Sequence, residues 1–322
     1  MKTNLASLMD YYYDSMYPSL KVLEEKRLRT LFTLKKAALI LCGIAVLLFL
    51  FLSQNAFFKP LHAALISAML AFLAFMFVYR HESAGYGMLF KDQVIEKIIH
   101  FLDPSLSYDK NNSMSEHEYQ QSELFLESYD RFSGNDLIYG KIEGVDVRFC
   151  DLHVEKKIRT KNGQEEWSDI FKGLFFRADF NKNFHSKVVV LPDIAERNLG
   201  VLGSWIQGMN IQRGELIKLD HMEFEKFFVV YGSDQIESRY ILSHTLMEHI
   251  VQFRKKIDKP LYLSFIDSQL FLALHYNKPL FEPILSRSLL EFDYIKDYFE
   301  LLVMITSIVT EFKLNEKLWS KR

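Results

Sequence analysis

One short run of the sequence carries side chains that could bind a metal ion. Asp151, His153 and Glu155 alternate along a predicted strand, so their side chains share one face. Imidazole and carboxylate groups are zinc ligands, and a four-coordinate site would take its remaining ligand from His185 or His275. The alternative is a solvated polar face opposite an apolar one. We favour this alternative and expect neither a bound metal nor a cofactor.

Two further groups of polar residues could form a binding surface. Asp179 and Lys182 follow an aromatic strand pattern, and Asp234 and Arg239 open a predicted helix. The ends of such elements can present side chains to a ligand. The alternative is structural, with Asp234 as an N-cap and Asp179 or Glu237 paired with Arg239. We expect the structural role for Asp234 and Arg239, and the contact role for Asp179 and Lys182.

The sequence contains none of the common motifs for nucleotide binding, zinc proteolysis or ester hydrolysis. The patterns G-x-x-x-x-G-K-[ST], G-x-G-x-x-G, H-E-x-x-H and G-x-S-x-G are absent. No Ser, His and Asp have a spacing that marks a catalytic triad, although such triads assemble in space rather than along the chain. We therefore assign no catalytic residue and favour a role other than an enzyme.

Strand patterns dominate the sequence after residue 136. Glu143–Gly144 and Asp267–Ser268 each separate two strand patterns and predict a hairpin turn. The apolar side of the strand from residue 145 changes near Phe149, which predicts a bulge or a twist there. The predicted strands are residues 137–142, 145–156, 170–180, 187–191, 215–219, 225–231, 261–266 and 270–275.

Helical patterns interrupt these strands. Asp234 with Glu237, and Thr245 with Glu248, have capping-box spacing, which predicts a short helix and then a longer one from Ser243. The predicted fold class is therefore α+β, with a mixed, mostly antiparallel β-sheet and packed helices. A terminal helix is expected to lie in the core. The predicted helices are residues 88–102, 120–132, 192–202, 234–256 and 289–314.

Two apolar runs near the N-terminus have about the length of membrane-spanning helices. Residues 37–53 and 61–79 contain no Lys, Arg, Asp or Glu. At about 1.5 Å per residue, each comes close to the ~30 Å of a bilayer core, and Pro60 breaks the pattern between them. The predicted organisation is a leader helix at residues 1–36, a transmembrane helical hairpin at 37–79, a helical stalk and connector at 80–132 with a polar break at 80–87, and a cytoplasmic α+β domain at 133–322.

Basic residues flank the predicted hairpin on its outer ends, and Lys59 is the basic residue of the connecting loop. The positive-inside rule therefore places both termini in the cytoplasm and makes the chain a multi-pass protein of a cell inner or plasma membrane. The amphipathic leader either packs on the main domain or on another copy, or contacts anionic lipid. The flanking residues are Lys21, Lys26, Arg27, Arg29, Lys35 and Lys36 before the first run, and Arg80, Lys91 and Lys97 after the second.

Composition excludes several classes of protein. The net charge is −2 over 322 residues, so no general basic field indicates nucleic-acid binding. The two cysteines are Cys42, in the first apolar run, and Cys150, in the strand-rich part. They are not expected to pair, which fits a reducing compartment.

Several stretches of the sequence resemble one family. They are FKGLFFRADFNKNF, VVVLPD, EFEKFFVVYGSDQIESRYILSHTLMEHI and LSFIDSQLFLAL, with GKIEGVDVRFCDLHVE upstream and LNEKLW at the end. These stretches are similar to the sequences of the bacterial membrane-protein family catalogued as domain of unknown function 3137. The resemblance implies an N-terminal apolar hairpin with a larger soluble region, and a LemA-type membrane protein as partner. It implies no activity and no catalytic residues.

The sequence thus predicts a membrane-anchored cytoplasmic interaction or scaffold protein. The alternative is a lipid-binding or small-ligand-binding protein with a Phe-lined apolar pocket in the soluble domain, and an enzyme is the third hypothesis. The expected partners are the lipid bilayer and another membrane protein, with no nucleic acid, and a homo-oligomer stays open. The residues expected to be mostly buried in the core are Phe171, Leu174, Phe176, Phe180, Phe227, Val229 and Tyr231.

Overall fold

The computed structural model describes residues 5–54, 59–160, 162–180, 182–193 and 213–315. Contacts within the chain divide it into two compact units. We call them the helical unit, Met1–Ile98 with Phe281–Glu300, and the sheet unit, Ile99–Leu280 with Leu301–Arg322. Each unit buries apolar side chains of its own.

Two long helical stretches make up most of the helical unit, and each contains one π-helical turn. The leader and the first apolar run form one uninterrupted helix, and the stalk helix ends before Asp103, as predicted. The helices are α1 (Leu5–Tyr11), α2 (Tyr17–Ser53), α3 (Pro60–Phe90) and α4 (Glu96–Leu102), with π-helical turns at Tyr12–Met16 and Lys91–Ile95.

The polar break predicted at residues 80–87 is wrong, because α3 continues through both of its glycines. A glycine in a helix costs about 1 kcal/mol relative to alanine. Burial offsets that cost here, since Tyr86 and Phe90 are fully buried. The ring of Phe90 lies 6.3 Å from that of Tyr294 and 5.2 Å from that of Tyr298.

Both predicted spans lie inside these helical stretches. Leu5–Ser53 and Pro60–Leu102 are long and apolar enough to cross a membrane, by length and composition. In the most apolar 18-residue window of the first stretch no residue is buried, and in that of the second stretch 11% is buried. The predicted connecting loop falls largely outside the described residues, which omit 55–58.

The sheet unit is built on a nine-stranded sheet in the order β1-β2-β3-β4-β9-β8-β5-β7-β6. Every described strand pair is antiparallel, so the predicted α+β class is confirmed. The strands are β1 (Ser107–Asp109), β2 (Arg131–Ile142), β3 (Val145–Arg159), β4 (Glu165–Asp179), β5 (Val188–Pro192), β6 (Glu215–Leu216), β7 (Phe228–Gly232), β8 (Leu261–Ile266) and β9 (Gln269–His275).

Both predicted hairpins are confirmed. Glu143 and Gly144 connect β2 to β3, with φ values of 49° and 85°. Asp267 and Ser268 connect β8 to β9, with φ values of 51° and 58°. Two consecutive positive φ values are the signature of the tight turn that matches the twist of an antiparallel pair.

The bulge predicted near Phe149 lies in the neighbouring strand instead. Strand β3 pairs without interruption with β4 from Val147 to Val154, whereas β2 has an extra residue between Asn135 and Ile138. The apolar residues of β3 change sides because both faces of the sheet are covered at this point. Phe149 and its neighbour Cys150 point to opposite faces, and both are fully buried.

Aromatic side chains form much of the core of the sheet unit. On one face, Phe171 lies with its ring 5.0 Å from Phe125 and 6.2 Å from Phe175. On the other face, Phe176 stacks on Phe149 at 6.0 Å. Among the residues predicted to be in the core, Phe171, Leu174, Phe176, Phe180 and Tyr231 are buried, and Phe227 and Val229 are partly exposed.

The helices of the sheet unit differ from the prediction in two places. The helix predicted at residues 120–132 is wrong beyond Gln121. A capping box of Ser115 and Glu118 starts a short helix earlier, which ends at Gln121, and β2 begins at Arg131. Residue Glu225 ends a helix rather than starting a strand. Most of the predicted helix at 192–202 falls outside the described residues. The helices are α5 (Glu116–Gln121), α6 (Met222–Glu225), α7 (Gln235–Ile241), α8 (His244–Ile257) and α9 (Phe292–Glu311), of which α9 begins in the helical unit.

The N-cap of α8 is Ser243 rather than Thr245. The side chain of Ser243 accepts a hydrogen bond from the main-chain N–H of Leu246 at 3.4 Å. The terminal helix α9 is a core helix as predicted, since Ile295 and Ile305 are fully buried.

Candidate functional site

The predicted metal-ligand run on β3 is rearranged in the structure. The carboxylate of Asp151 is buried, and its Oδ2 accepts a hydrogen bond from the main-chain N–H of Leu280 at 3.0 Å. Asp169 on β4 lies beside the other two residues of the run instead. The ligand atoms of His153, Glu155 and Asp169 all lie within 4.8 Å of one another. We call these three residues the His153 cluster.

A bulge in β4 brings Asp169 into the His153 cluster. Val154 pairs with Phe171, but the next residue, Glu155, pairs with Asp169, so Ile170 is the extra residue. In a regular ladder Glu155 would face Ile170, and Asp169 would point to the opposite side of the sheet. The bulge thus redirects this carboxylate toward the imidazole, which is a frequent role of bulges near functional sites.

The imidazole of His153 lies between the two carboxylates. Its Nε2 is 2.7 Å from Asp169 Oδ1 and 3.8 Å from Glu155 Oε1. The side chain of Glu155 is only 10% exposed, whereas those of His153 and Asp169 are 31% and 56% exposed. One carboxylate of the cluster is therefore fixed and partly shielded, and the other two groups face solvent.

A cation on the neighbouring strand holds the fixed carboxylate. Arg131 Nη1 lies 3.0 Å from Glu155 Oε2, and the guanidinium carbon lies 3.9 Å from the centre of the Trp167 ring. Stacking on an aromatic ring restricts an arginine side chain. Arg131 therefore orients one oxygen of Glu155 and leaves Oε1 facing His153.

Neither histidine predicted as a further ligand joins the cluster within the described residues. His275 pairs with Gly173, and Gly173 pairs with Leu152, so His275 lies on the face opposite to that of His153. There it contacts aromatic rings, and burial lowers its pKa below the ordinary value. The main-chain N–H of His185 donates to Glu237 in another part of the sheet unit.

The structure brings together a second group of metal-ligand side chains that the sequence analysis did not find. His221 precedes α6, and its ring centre lies 4.8 Å from that of His244 at the start of α8. His244 Nε2 lies 3.3 Å from Glu248 Oε1. The i,i+4 spacing of His244 and Glu248 was visible in the sequence, but the arrival of His221 depends on the fold.

Lys182 is buried and has structural contacts that the sequence did not reveal. Its ammonium group donates to the carbonyls of Tyr240 and Ile241, at 3.3 and 3.4 Å, at the end of α7. Carbonyls in the last turn of a helix have no intrahelical partner, so Lys182 satisfies two of them. Burial lowers the pKa of Lys182. Asp179 is partly buried at the end of β4, where it pairs with Gln269.

Asp234 is an N-cap, as predicted. Its Oδ1 accepts from the main-chain N–H groups of Ile236 and Glu237, at 2.9 and 2.6 Å. A cap of this kind contributes about 0.5–2 kcal/mol. Arg239 donates to the carbonyls of Gln235 and Lys218, at 3.2 and 3.1 Å, rather than to the carboxylate of Glu237.

Residues 169–314 match the family model described as "Protein of unknown function (DUF3137)". The predicted similarity to this family of unknown function is confirmed over these residues. Asp169 and the second histidine group lie in this DUF3137 region, whereas His153 and Glu155 precede it.

Other comparisons add little about the DUF3137 region. No curated protein gives a significant match. One solved structure that aligns with the chain is the mycobacterial trehalose monomycolate transport factor A, TtfA, at 8% sequence identity and a TM-score of 0.35. The alignment covers 66% of this chain and 94% of that chain, but a similarity this low carries no argument about function.

The helical unit contains a buried ion pair that ties the leader to the later part of the DUF3137 region. Both oxygens of Glu24 accept from Arg27, at 2.6 and 2.9 Å. Glu24 also accepts from the hydroxyl of Ser288 and the main-chain N–H of Leu289, at 2.9 and 3.0 Å. Arg27 donates to the carbonyl of Leu285 at 2.6 Å. The leader therefore contacts residues 285–289 of the same chain.

A groove of about 740 Å³ lies along the helical unit. Two cations, Lys26 and Arg29, and two carboxylates, Glu25 and Glu82, line it beside hydroxyl groups of Thr and Ser side chains. The cations and the hydroxyl groups come from the leader half of α2, a few residues before the predicted span. The apolar residues that line it are Val22, Leu23 and Leu89.

Proposed function

We propose that the chain is a membrane-anchored protein whose cytoplasmic sheet unit binds another protein of the same membrane. One observation carries the anchoring role. The most apolar window of the first long helical stretch has no buried residue, and that of the second is 11% buried. Contiguous apolar surface of this extent is unfavourable in water and is satisfied by lipid. This supports a multi-pass anchor rather than a buried core hairpin.

The charges around the hairpin support a cytoplasmic location for both termini. Two of the basic residues are neutralised, because Arg27 pairs with buried Glu24 and Lys91 pairs with Glu282. The others on the outer ends still outnumber Lys59 of the loop, and loop charge sets the orientation.

Cysteine labelling tests the orientation. In a chain with Cys42 and Cys150 replaced by Ser, Asn55→Cys is expected to react with a membrane-impermeant maleimide in intact cells. A cysteine added at either terminus is expected to react only after the membrane is opened. Labelling of a terminal cysteine in intact cells would contradict the proposed topology.

The surface of the sheet unit supports the interaction role. Ile236 on α7 is 80% exposed, and it lies between the capping residue Asp234 and the exposed Arg239. Exposed apolar and arginine side chains are typical of the centres of protein interfaces. We propose that Asp234 and Arg239, with Asp179 at the end of β4, border this surface, and that buried Lys182 supports it from below through the end of α7. A LemA-type membrane protein is the proposed partner, and a second copy of the chain is the alternative.

Crosslinking in native membranes tests the interaction. A LemA-type protein is expected to be recovered with the wild-type chain and lost with Ile236→Asp, because an exposed charge disrupts an apolar contact without unfolding the domain. The matched control is Ile158→Asp on β3, which is 39% exposed and is expected to keep the partner. Equal recovery of the partner with both variants would show that α7 is not part of the interface. Crosslinks between copies of the chain, with no other protein, would indicate a homo-oligomer.

Lipid binding is a second candidate function, supported by the groove of the helical unit. The rings that were predicted to line a cavity pack against one another in the sheet core, as Phe125 and Phe171 do at 5.0 Å. The groove instead combines Lys26 and Arg29 with Glu25 and Glu82. This pairing of charges fits the phosphate and ammonium groups of a zwitterionic phospholipid headgroup.

A further inference from the structure

We propose that the His153 cluster binds one divalent transition-metal ion of the zinc class. The three side chains come from adjacent strands, and they offer one imidazole nitrogen and two carboxylate oxygens. This donor set suits zinc and its first-row neighbours rather than magnesium or calcium, which prefer oxygen ligands alone.

The distances fit an ion that takes the place of a proton. His153 Nε2 and Asp169 Oδ1 lie 2.7 Å apart, and Glu155 Oε1 lies 3.8 Å from the same nitrogen. Zinc ligands at about 2.0–2.2 Å in a tetrahedral site are about 3.3 Å from one another, between the two observed distances. The ion would lie between His153 Nε2 and Asp169 Oδ1, and a neutral imidazole that binds it through Nε2 carries its single proton on Nδ1.

The environment of Glu155 makes this cluster a prepared site rather than an accidental group of surface side chains. Its side chain is 10% exposed, and Arg131, stacked on Trp167, holds Oε2 while Oε1 faces His153. Residues that orient a metal ligand in this way are typical of metal sites. The charge of Arg131 offsets one of the two carboxylates, so the site with a divalent ion bound would keep a net positive charge unless a hydroxide or another anion completed the coordination.

In the second histidine group, formed by His221, His244 and Glu248, the described contacts oppose metal binding. The Nδ1 atom of His221 accepts a hydrogen bond from the main-chain N–H of Phe224 at 3.1 Å, so the imidazole proton lies on Nε2. Binding of a metal through either nitrogen would therefore break the cap of α6. The side chains of His244 and Glu248 are also 68% and 49% exposed. This group provides a matched control.

Cobalt titration of the full chain tests the proposal. The chain is purified in detergent without a histidine tag, stripped with a chelator and titrated with Co²⁺, whose visible absorption reports a site with a nitrogen ligand. We expect one Co²⁺ per chain, displaced by Zn²⁺. His153→Ala and Asp169→Asn should each weaken binding by roughly tenfold or more, whereas His244→Ala should bind as the wild type does.

Two results would overturn the proposal. One is the absence of Co²⁺ and Zn²⁺ binding by the wild-type chain, and the other is unchanged binding by both His153→Ala and Asp169→Asn. Thermal unfolding of every variant accompanies the titration. If His153→Ala does not fold, Asp169→Asn decides the outcome, because the amide keeps the size of the carboxylate and lacks its charge.

Discussion

Replacing Glu24 with Gln is expected to lower the stability of the helical unit by about 3–5 kcal/mol, because it leaves the guanidinium of Arg27 buried without a counter-charge. Both side chains are less than one-tenth exposed, at 9% and 8%, and Glu24 accepts from Arg27, Ser288 and Leu289. Thermal unfolding and limited proteolysis of the full chain in detergent measure the effect. Proteolysis is expected to begin in the leader, around Glu24.

The matched control is Glu25→Gln, one residue further along the same helix. Glu25 lies 3.9 Å from Arg29, and these two side chains are 71% and 83% exposed. Exposed ion pairs contribute about 0–1 kcal/mol, so the control should unfold close to the wild type. Equal losses in the two variants would contradict a buried, coupled role for Glu24.

The same ion pair predicts a loss of stability in acid. Burial alone would raise the pKa of Glu24, but hydrogen bonds from Arg27, Leu289 and Ser288 lower it below its ordinary value of 4.5. When the folded state lowers the pKa of a carboxyl group, the fold gains stability that is fully present above the pKa of the unfolded chain. This contribution is lost as the pH falls from there through the lowered pKa of the folded state. The difference in free energy of unfolding between the wild type and Glu24→Gln should therefore become smaller below about pH 4.

Replacing Phe176 with Ala is expected to destabilise the sheet unit by about 3–5 kcal/mol, because the truncation leaves a cavity in a packed core. Phe176 on β4 is fully buried, and its ring stacks on Phe149 at 6.0 Å. Denaturant unfolding of the full chain, followed by tryptophan fluorescence to which Trp167 on the same strand contributes, measures the loss.

The control for Phe176 is Tyr139→Ala on β2, which removes an aromatic ring that is 44% exposed. Its expected cost is below about 1 kcal/mol, since surface substitutions rarely cost more. A free energy of unfolding equal to that of the wild type for Phe176→Ala would show that the ring does not contribute to the core.

The sequence predicted best where the relevant information is local. Strand β8 and the Asp267–Ser268 turn agree with the structure to the residue, because alternation and turn residues lie within a few positions of each other. The N-cap Asp234 was found for the same reason. The prediction from local sequence was wrong at residues 80–87. The glycines there suggested a break, but buried Tyr86 stabilises a continuous helix.

The site residues depend on contacts between distant parts of the chain. Asp169 joins His153 only because of the extra residue Ile170 in β4, and a bulge of this kind leaves no clear mark in one sequence. Lys182 looked like an exposed residue after a strand, but it lies against the end of α7. The burial of Glu24 depends on a segment near residue 289, which the pattern of the leader alone does not show.

The continuity of α2 has a mechanical consequence. The helix has 37 residues, so it is a rod about 55 Å long that contains both the first apolar run and the leader from Tyr17. A span tilts when the thickness of the bilayer changes. Because α2 has no break between the two parts, a tilt of 10° would swing the start of the leader by about 5 Å, given about 30 Å of helix beyond the bilayer. Glu24 connects the leader half of this helix to the segment at Leu289, so a tilt of α2 would also move that segment.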